Sequence, residues 1–137
     1  MLPLRYANRW RLAGVLLLIA VFASTLVPAI WFRSGFNMRF LVDSDKLAHF
    51  LAFLVLAVWF SGQYTTRSWW RIAIGLLAFG IIIELCQRMT SYRSAEWFDL
   101  LADVVGIATG LAIAALGAGG WSLRFEHWVQ ERRAPQE

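Results

Sequence analysis

Four long apolar stretches alternate with short polar segments along the chain. They cover residues 12–32, 44–61, 69–89 and 98–116, and each approaches the roughly 20 residues that a helix needs to cross the hydrocarbon core of a bilayer. The second stretch is short unless its polar start is included. Because the connections are brief, consecutive helices must run antiparallel. The pattern predicts an all-α polytopic membrane protein, a compact bundle of four transmembrane helices forming a single domain over residues 1–137.

The two ends of the chain carry signals of their own. Three arginines before the first apolar run are also typical of a signal peptide, but the run continues through Trp31 and is long enough to span. The C-terminal segment, residues 122–137, mixes apolar and charged residues over 122–130. We predict that it is a short cytoplasmic tail whose first part lies on the membrane surface as an amphipathic helix.

Composition indicates that lipid is the main solvent of this chain. Of the 137 residues, 59% are apolar or aromatic and 16% are charged, whereas a typical soluble domain is about 25% charged. A soluble fold of this size could not bury so much apolar surface. The eight tryptophans fall near the ends of the stretches, as in the aromatic belts of membrane proteins. We therefore attribute the net charge of +4 to basic residues flanking the spans, and expect the lipid bilayer, not nucleic acid, as a partner.

The distribution of basic residues predicts the orientation of the bundle, because cytoplasmic loops are enriched in Lys and Arg. With alternating spans, eight basic residues fall on the side of the two termini and five on the other side. We expect a multi-pass protein of the bacterial cytoplasmic membrane with both termini in the cytoplasm. The eight are Arg5, Arg9, Arg11, Arg67, Arg71, Arg124, Arg132 and Arg133, and the five are Arg33, Arg39, Lys46, Arg88 and Arg93.

Polar side chains gather at one end of the predicted bundle. Since consecutive helices alternate in direction, the start of the second stretch, the end of the third and the start of the fourth meet on one side of the membrane. The charge distribution makes this the outer side, so we predict an outer-facing polar pocket. Its candidate residues are Asp45, Lys46 and His49 in the second stretch, Glu84 and Gln87 in the third, Arg93 in the following loop, and Asp99 and Asp103 in the fourth.

The fourth stretch carries its acids and its glycines on one helical stripe. Asp99, Asp103, Gly106 and Gly110 follow one another at spacings of four, three and four residues. A glycine pair four residues apart lets another helix approach closely, so the same stripe turns the two acids toward the bundle. A carboxylate at membrane depth costs at least about 2.5 kcal/mol on insertion scales and needs a partner or a wet cavity.

Simpler explanations exist for each residue taken alone. Asp45 and Asp99 could lie at helix starts, where the helix dipole favours carboxylates. Glu84 and Arg88 could form an ordinary ion pair one turn apart. A single His49 is typical of a structural hydrogen-bonding residue. These explanations do not account for the joint pattern, in which three helices bring polar residues to one pocket.

Taken together, the ordered motifs of residues 43–115 resemble the VanZ-like family. Its founding member is associated with resistance to the glycopeptide teicoplanin in Gram-positive bacteria. The family frequently has asparagine at the position of Asp103, so this chain carries a second acid there. The resemblance carries over residue by residue to Asp45-Lys46-x-x-His49-Phe50, Glu84-x-x-Gln87, Arg93, Asp99 and Gly106-x-x-x-Gly110.

Three functions stay open. In the first, the pocket binds a cell-envelope component, namely a lipid headgroup, a cell-wall precursor or a glycopeptide, and affects teicoplanin susceptibility. Arg93 and Lys46 would then hold an anionic group. The second is an intramembrane metal- or acid/base-dependent enzyme acting on a lipid-linked substrate. The third is a helper subunit with a membrane-protein partner.

The sequence favours a role without catalysis, because no nucleophile with a visible base stands out. We expect no cofactor and no bound metal. A carboxylate-rich site would suit a divalent cation such as Mg²⁺ or Mn²⁺. The candidate ligands for one are His49, Glu84, Asp99 and Asp103.

Overall fold

A computed structural model of the protein describes residues 1–26, 38–89 and 97–133. This part of the chain is helical and contains no strand, so the predicted all-α class is confirmed. A 3-10 turn, Thr66–Ser68, leads into the third helix, and a π-helical turn, Ala114–Ala118, follows the fourth. The helices are α1 (Ala7–Leu26), α2 (Met38–Ser61), α3 (Trp69–Arg88), α4 (Trp97–Ile113) and α5 (Trp121–Arg133).

The observed helices differ from the predicted stretches mainly at their N-terminal ends. Helix α1 begins at Ala7, before the predicted residue 12, and residues 27–32 of that stretch lie outside the described residues. Helix α2 begins at Met38, well before the predicted start at residue 44. Apolar content marks where a helix enters lipid, whereas the helix itself extends through its polar first turns.

Within the described residues, three helical segments are long and apolar enough to cross a membrane. They are Ala7–Thr25, Thr66–Arg88 and Trp97–Ala118. Helix α2, which covers the second predicted span at residues 44–61, is not among them. Its 24 residues would reach about 36 Å at 1.5 Å per residue, but its N-terminal turns carry several charges, including Asp45 and Lys46. A fourth span therefore stays a prediction.

Helix α2 lies at the centre of the packing. It contacts α4 most extensively and also packs against α1 and α3. This arrangement brings the polar first half of α2 against the start of α4. The buried core is formed by Phe53, Leu56, Ala57, Leu76, Ile83 and Ile107.

Burial is inverted relative to a water-soluble protein. Leu16, Ile19 and Ile74 are 56%, 57% and 59% exposed, whereas Gln87 and Asp103 are each only 1% exposed. In water this arrangement would be costly on both counts. It is the arrangement expected when lipid covers the outer surface and polar groups turn inward.

Candidate functional site

A histidine and an aspartate join α2 to α4 within the buried part of the bundle. His49 Nδ1 lies 2.9 Å from Asp103 Oδ1, and the two residues are 4% and 1% exposed. When Asp103 is ionised and His49 is neutral, Nδ1 carries the proton and donates this bond, and Nε2 keeps its lone pair. His49 Nε2 is buried and has no hydrogen-bond partner among the described residues.

Two further acids stand beside this pair. Asp45 lies one turn before His49 on α2, and Asp99 lies one turn before Asp103 on α4. One ligand atom each from Asp45, His49 and Asp99 all lie within 4.8 Å of one another. We call Asp45, His49, Asp99 and Asp103 the polar cluster. The structure thus brings together four of the residues that the sequence assigned to the pocket.

The positions of the two flanking acids in their helices differ. Asp99 lies in the first turn of α4, where the helix dipole favours a carboxylate. Asp45 lies about two turns inside α2, which begins at Met38, so the interpretation of Asp45 as a helix-start residue is wrong. Asp45 thus lies in the body of a helix that packs on α4. The residue is only partly buried.

Glu84 approaches the polar cluster from α3. The charges of His49, Asp99 and Asp103, and that of Arg88 one turn further along α3, act on its carboxylate. Glu84 Oε1 is buried and has no hydrogen-bond partner in the described part of the chain. Three helices therefore direct acidic groups to one region.

Gln87 connects this region to α1. Its side-chain Nε2 donates to the backbone oxygen of Thr25 at a distance of 3.2 Å, and the residue is 1% exposed. A carbonyl in the last turn of a helix lacks an intrahelical donor. Gln87 thus supplies one to the end of α1, which is a structural role.

Of the two predicted cationic residues, one can be located. Lys46 is partly buried, and its Nζ lies 6.0 Å from the ring centroid of Phe98. Arg93 lies outside the described residues. The polar cluster with Glu84 therefore carries more acidic than basic groups in the part of the chain that the structure covers.

Glycines on α4 allow the close contact with α2 that forms the site. A Cβ atom added to Gly106 would overlap the backbone oxygen of Phe50, and one added to Gly110 would lie 2.7 Å from the backbone oxygen of Leu54. Backbone atoms cannot move aside without shifting α2. Gly106 and Gly110 therefore set the distance at which His49 meets Asp103.

Gly80 on α3 is a site residue that the sequence analysis missed. A Cβ atom there would lie 2.5 Å from Asp103 Oδ2 and 3.2 Å from the ring of Phe53. The available signal was its spacing: Gly80 lies four residues before Glu84, on the same face of α3. The absence of a side chain at this position leaves room for the Asp103 carboxylate.

A cavity of about 170 Å³ adjoins the polar cluster between α1 and α2. Asp45 and His49 contribute its polar side together with Ser24 and Thr25 of α1, which the sequence analysis also missed. The remaining walls are apolar. They are formed by Val21, Ala48, Ala52 and Phe53.

Another buried acid, Glu126, fixes the opposite end of the bundle, and the sequence analysis missed it too. Glu126 on α5 accepts hydrogen bonds from the backbone nitrogens of Arg5 (2.7 Å) and Tyr6 (3.0 Å) and from Trp10 Nε1 (2.8 Å). Burial disfavours its charged form, but these hydrogen bonds and the charge of His127 outweigh burial and lower the pKa of Glu126 below its ordinary value. Glu126 therefore fastens the N-terminal segment to α5.

Three tryptophans pack together at this end. The ring of Trp10 lies 5.6 Å from that of Trp59 and 5.3 Å from that of Trp121. Trp121 also donates from Nε1 to the backbone oxygen of Val58 at 3.1 Å. These rings join α1, α2 and α5, in addition to any role at the membrane interface.

The fold and the site define the class of this chain. Membrane-length apolar helices cover their lipid-facing surface with large aliphatic side chains and enclose a cluster of acids and a histidine, as in an integral membrane protein with an internal polar site. The family model described as VanZ/LLP1 matches residues 7–118. The chain therefore belongs to this family, as its motifs predict. No curated protein and no solved structure matches the chain.

Proposed function

We propose that this protein binds an amphiphilic component of the bacterial cell envelope. The polar headgroup would lie at the polar cluster, and an apolar portion in the cavity between α1 and α2. The observation that carries the proposal is the mixed lining of that cavity, which includes His49 and Asp45 as well as Phe53 and Ala52. Such a lining suits a molecule that has both a polar and an apolar part.

The size of the cavity narrows the choice of ligand. Pockets for drug-sized molecules hold roughly 300–1,000 Å³, whereas this cavity holds about 170 Å³. It suits a lipid headgroup or a short chain segment better than a whole glycopeptide. Lys46 at the same end of α2 would attract an anionic headgroup as a point charge, and Arg93 is proposed for the same role.

The binding experiment uses the purified protein in phosphatidylcholine nanodiscs and a fluorescent phosphatidylglycerol as the probe. Ala52→Leu fills the cavity, and Ala78→Leu adds the same side chain at an exposed position of α3 as the matched control. We expect the affinity of Ala52→Leu to fall about tenfold and that of Ala78→Leu to match the wild type. Equal affinities in all three proteins would contradict the proposal.

A second experiment measures teicoplanin susceptibility. We propose that expression of this chain changes the teicoplanin susceptibility of a host cell by altering the availability of the bound envelope component. The minimal inhibitory concentration would be compared in cells carrying the wild type or Ala52→Leu. Direct competition of teicoplanin with the fluorescent lipid would instead identify the glycopeptide as a ligand.

The His49–Asp103 pair favours a second candidate function, an intramembrane acid/base enzyme. A carboxylate that fixes the imidazole tautomer leaves Nε2 free to accept a proton from an attacking water. Release of phosphate from a lipid-linked phosphate would test this activity. The activity should disappear in His49→Gln. It should persist in His127→Gln, which alters the other histidine of the chain, located on α5. A role as a helper subunit stays a prediction.

A further inference from the structure

Three side chains of the polar cluster have potential metal-ligand atoms close to one another, and these atoms are of two chemical types. His49 offers an imidazole nitrogen, and Asp45 and Asp99 offer carboxylate oxygens, all within 4.8 Å of one another. They come from two helices whose spacing is fixed by glycine contacts with backbone atoms. An acidic cluster alone is common on protein surfaces, but this one lies inside a membrane-type bundle around a buried histidine.

The buried histidine nitrogen is the observation that points to a ligand. His49 is 4% exposed, and its Nδ1 is engaged by Asp103. The other nitrogen, Nε2, is buried without a hydrogen-bond partner in the described residues. Buried polar atoms are nearly always paired with protein groups, water or an ion, so an unpaired one requires an explanation.

We infer that Asp45, His49 and Asp99 bind a divalent transition-metal ion and that Asp103 orients His49 for it. Histidines that ligate metals almost always donate their second nitrogen to a carboxylate or carbonyl, which fixes the tautomer and raises the basicity of the ligating nitrogen. His49 and Asp103 have this relationship. Asp103 is thus a positioning residue and the other three side chains are ligands.

The donor set indicates which ions fit. One imidazole and two carboxylates suit Zn²⁺ or Mn²⁺ better than thiophilic ions or an ion with only oxygen ligands. Zinc bonds to these donors measure about 2.0–2.2 Å, so two donors of one ion lie at most about 4.4 Å apart. The ligand atoms of the present set lie within 4.8 Å of one another, so any pair more than about 4.4 Å apart must move closer when the ion binds.

An ion at this position would also change the electrostatics of the site. It would compensate the acids of the polar cluster, and three protein ligands leave coordination positions for an oxygen atom of an anionic headgroup. The ion would in this way let an acidic cluster receive an anionic ligand. The metal site does not depend on the proposed lipid, because the metal alone tests it.

The test uses the full chain, purified in detergent without a polyhistidine tag and stripped with EDTA. Zn²⁺ or Mn²⁺ is titrated by calorimetry, and the bound metal is counted by elemental analysis. We expect one ion per chain, with affinity at least tenfold weaker in His49→Gln. His127→Gln alters the second of the two histidines and should bind like the wild type. Asp103→Asn should keep one ion and lose about 10–100-fold in affinity.

A spectroscopic measurement keeps the inference testable if the variants unfold. Co²⁺ added to the stripped wild type should give the visible absorption of a nitrogen- and oxygen-ligated ion and should raise the melting temperature. Absence of saturable binding by the wild type would overturn the inference. Equal affinities in the wild type and a folded His49→Gln would overturn it as well.

Discussion

His49 Nδ1 and Asp103 Oδ1 lie 2.9 Å apart and link α2 to α4 across the buried part of the bundle. Each of them also lies one turn from another acid of the polar cluster: His49 from Asp45 on α2, and Asp103 from Asp99 on α4. The link therefore has two consequences. It holds two helices together, and it fixes the orientation of the imidazole that the other acids face.

The first prediction concerns the energy of this link. In metal-free protein, His49→Gln and Asp103→Asn should each lower the free energy of unfolding by about 0.5–2 kcal/mol, the range found for polar contacts between membrane helices. The double variant should lose less than the sum, because each single change already breaks the same contact. Unfolding in mixed SDS micelles measures the three differences.

A pair of exposed residues on α5 provides the control for this comparison of single and double variants. His127 and Glu131 are also four residues apart, and both are exposed. The corresponding changes, His127→Gln and Glu131→Gln, should be additive and close to zero, since exposed pairs contribute little. Strict additivity for His49 and Asp103 would show that the two residues act independently.

The second prediction compares alanine substitutions at two glycines. Gly106→Ala should destabilise the protein by about 1–3 kcal/mol, because the added methyl group meets the backbone oxygen of Phe50 and forces α2 away. Gly75 on α3 has open space around its Cβ position. Gly75→Ala should therefore be neutral or stabilise by up to about 1 kcal/mol through helix propensity. Equal effects of the two substitutions on SDS unfolding would contradict the packing role of Gly106.

Part of this site could be predicted from the sequence because its residues repeat along helices. The stripe of Asp99, Asp103, Gly106 and Gly110 fixes which side of α4 faces the bundle, whichever helix lies opposite. Which atoms meet could not be predicted. The pairing of His49 with Asp103 rather than with another acid depends on the axial offset between α2 and α4, which hydrophobic periodicity does not encode.

Gly80 and Glu126 show the other limit. Gly80 leaves space for a carboxylate on a different helix, and its spacing from Glu84 indicates the face of α3 on which it lies but not the residue that this face meets. Glu126 lies in the mixed apolar and charged segment that is predicted to lie on the membrane surface, yet it is buried against residues about 120 positions earlier in the chain. Contacts between the two ends of a chain depend on the completed bundle, so local pattern could not indicate them.

The third prediction is a pH dependence at Glu126. Its folded-state pKa lies below the ordinary value of 4.5, so its ionised form stabilises the folded state above that pH. This stabilisation is lost as the pH falls through 4.5 toward the folded-state pKa. Glu126→Gln removes the charge, so the melting temperature of the wild type should exceed that of the variant at pH 7. The difference should shrink as the pH falls below 4.5.

The exposed Glu131 on the same helix serves as the control for this titration. Glu131→Gln should follow the melting curve of the wild type at every pH, because it removes an equal charge from α5 without touching the N-terminal segment. A constant difference between the wild type and Glu126→Gln across the titration would mean that the hydrogen bonds to Glu126 do not depend on its charge.

The last prediction is the orientation of α3, which determines the side of the membrane that the polar cluster faces. Ser68 and Met89 flank its 20 residues, about 30 Å apart and close to the thickness of the hydrocarbon core. In a Cys86→Ser background, which removes the one native cysteine, an impermeant maleimide should label Met89→Cys on intact cells. Ser68→Cys should react only after permeabilisation, because Arg67 and Arg71 place its loop on the basic, cytoplasmic side. The reverse pattern would turn the polar cluster toward the cytoplasm, and equal labelling of both positions would mean that α3 does not cross the membrane.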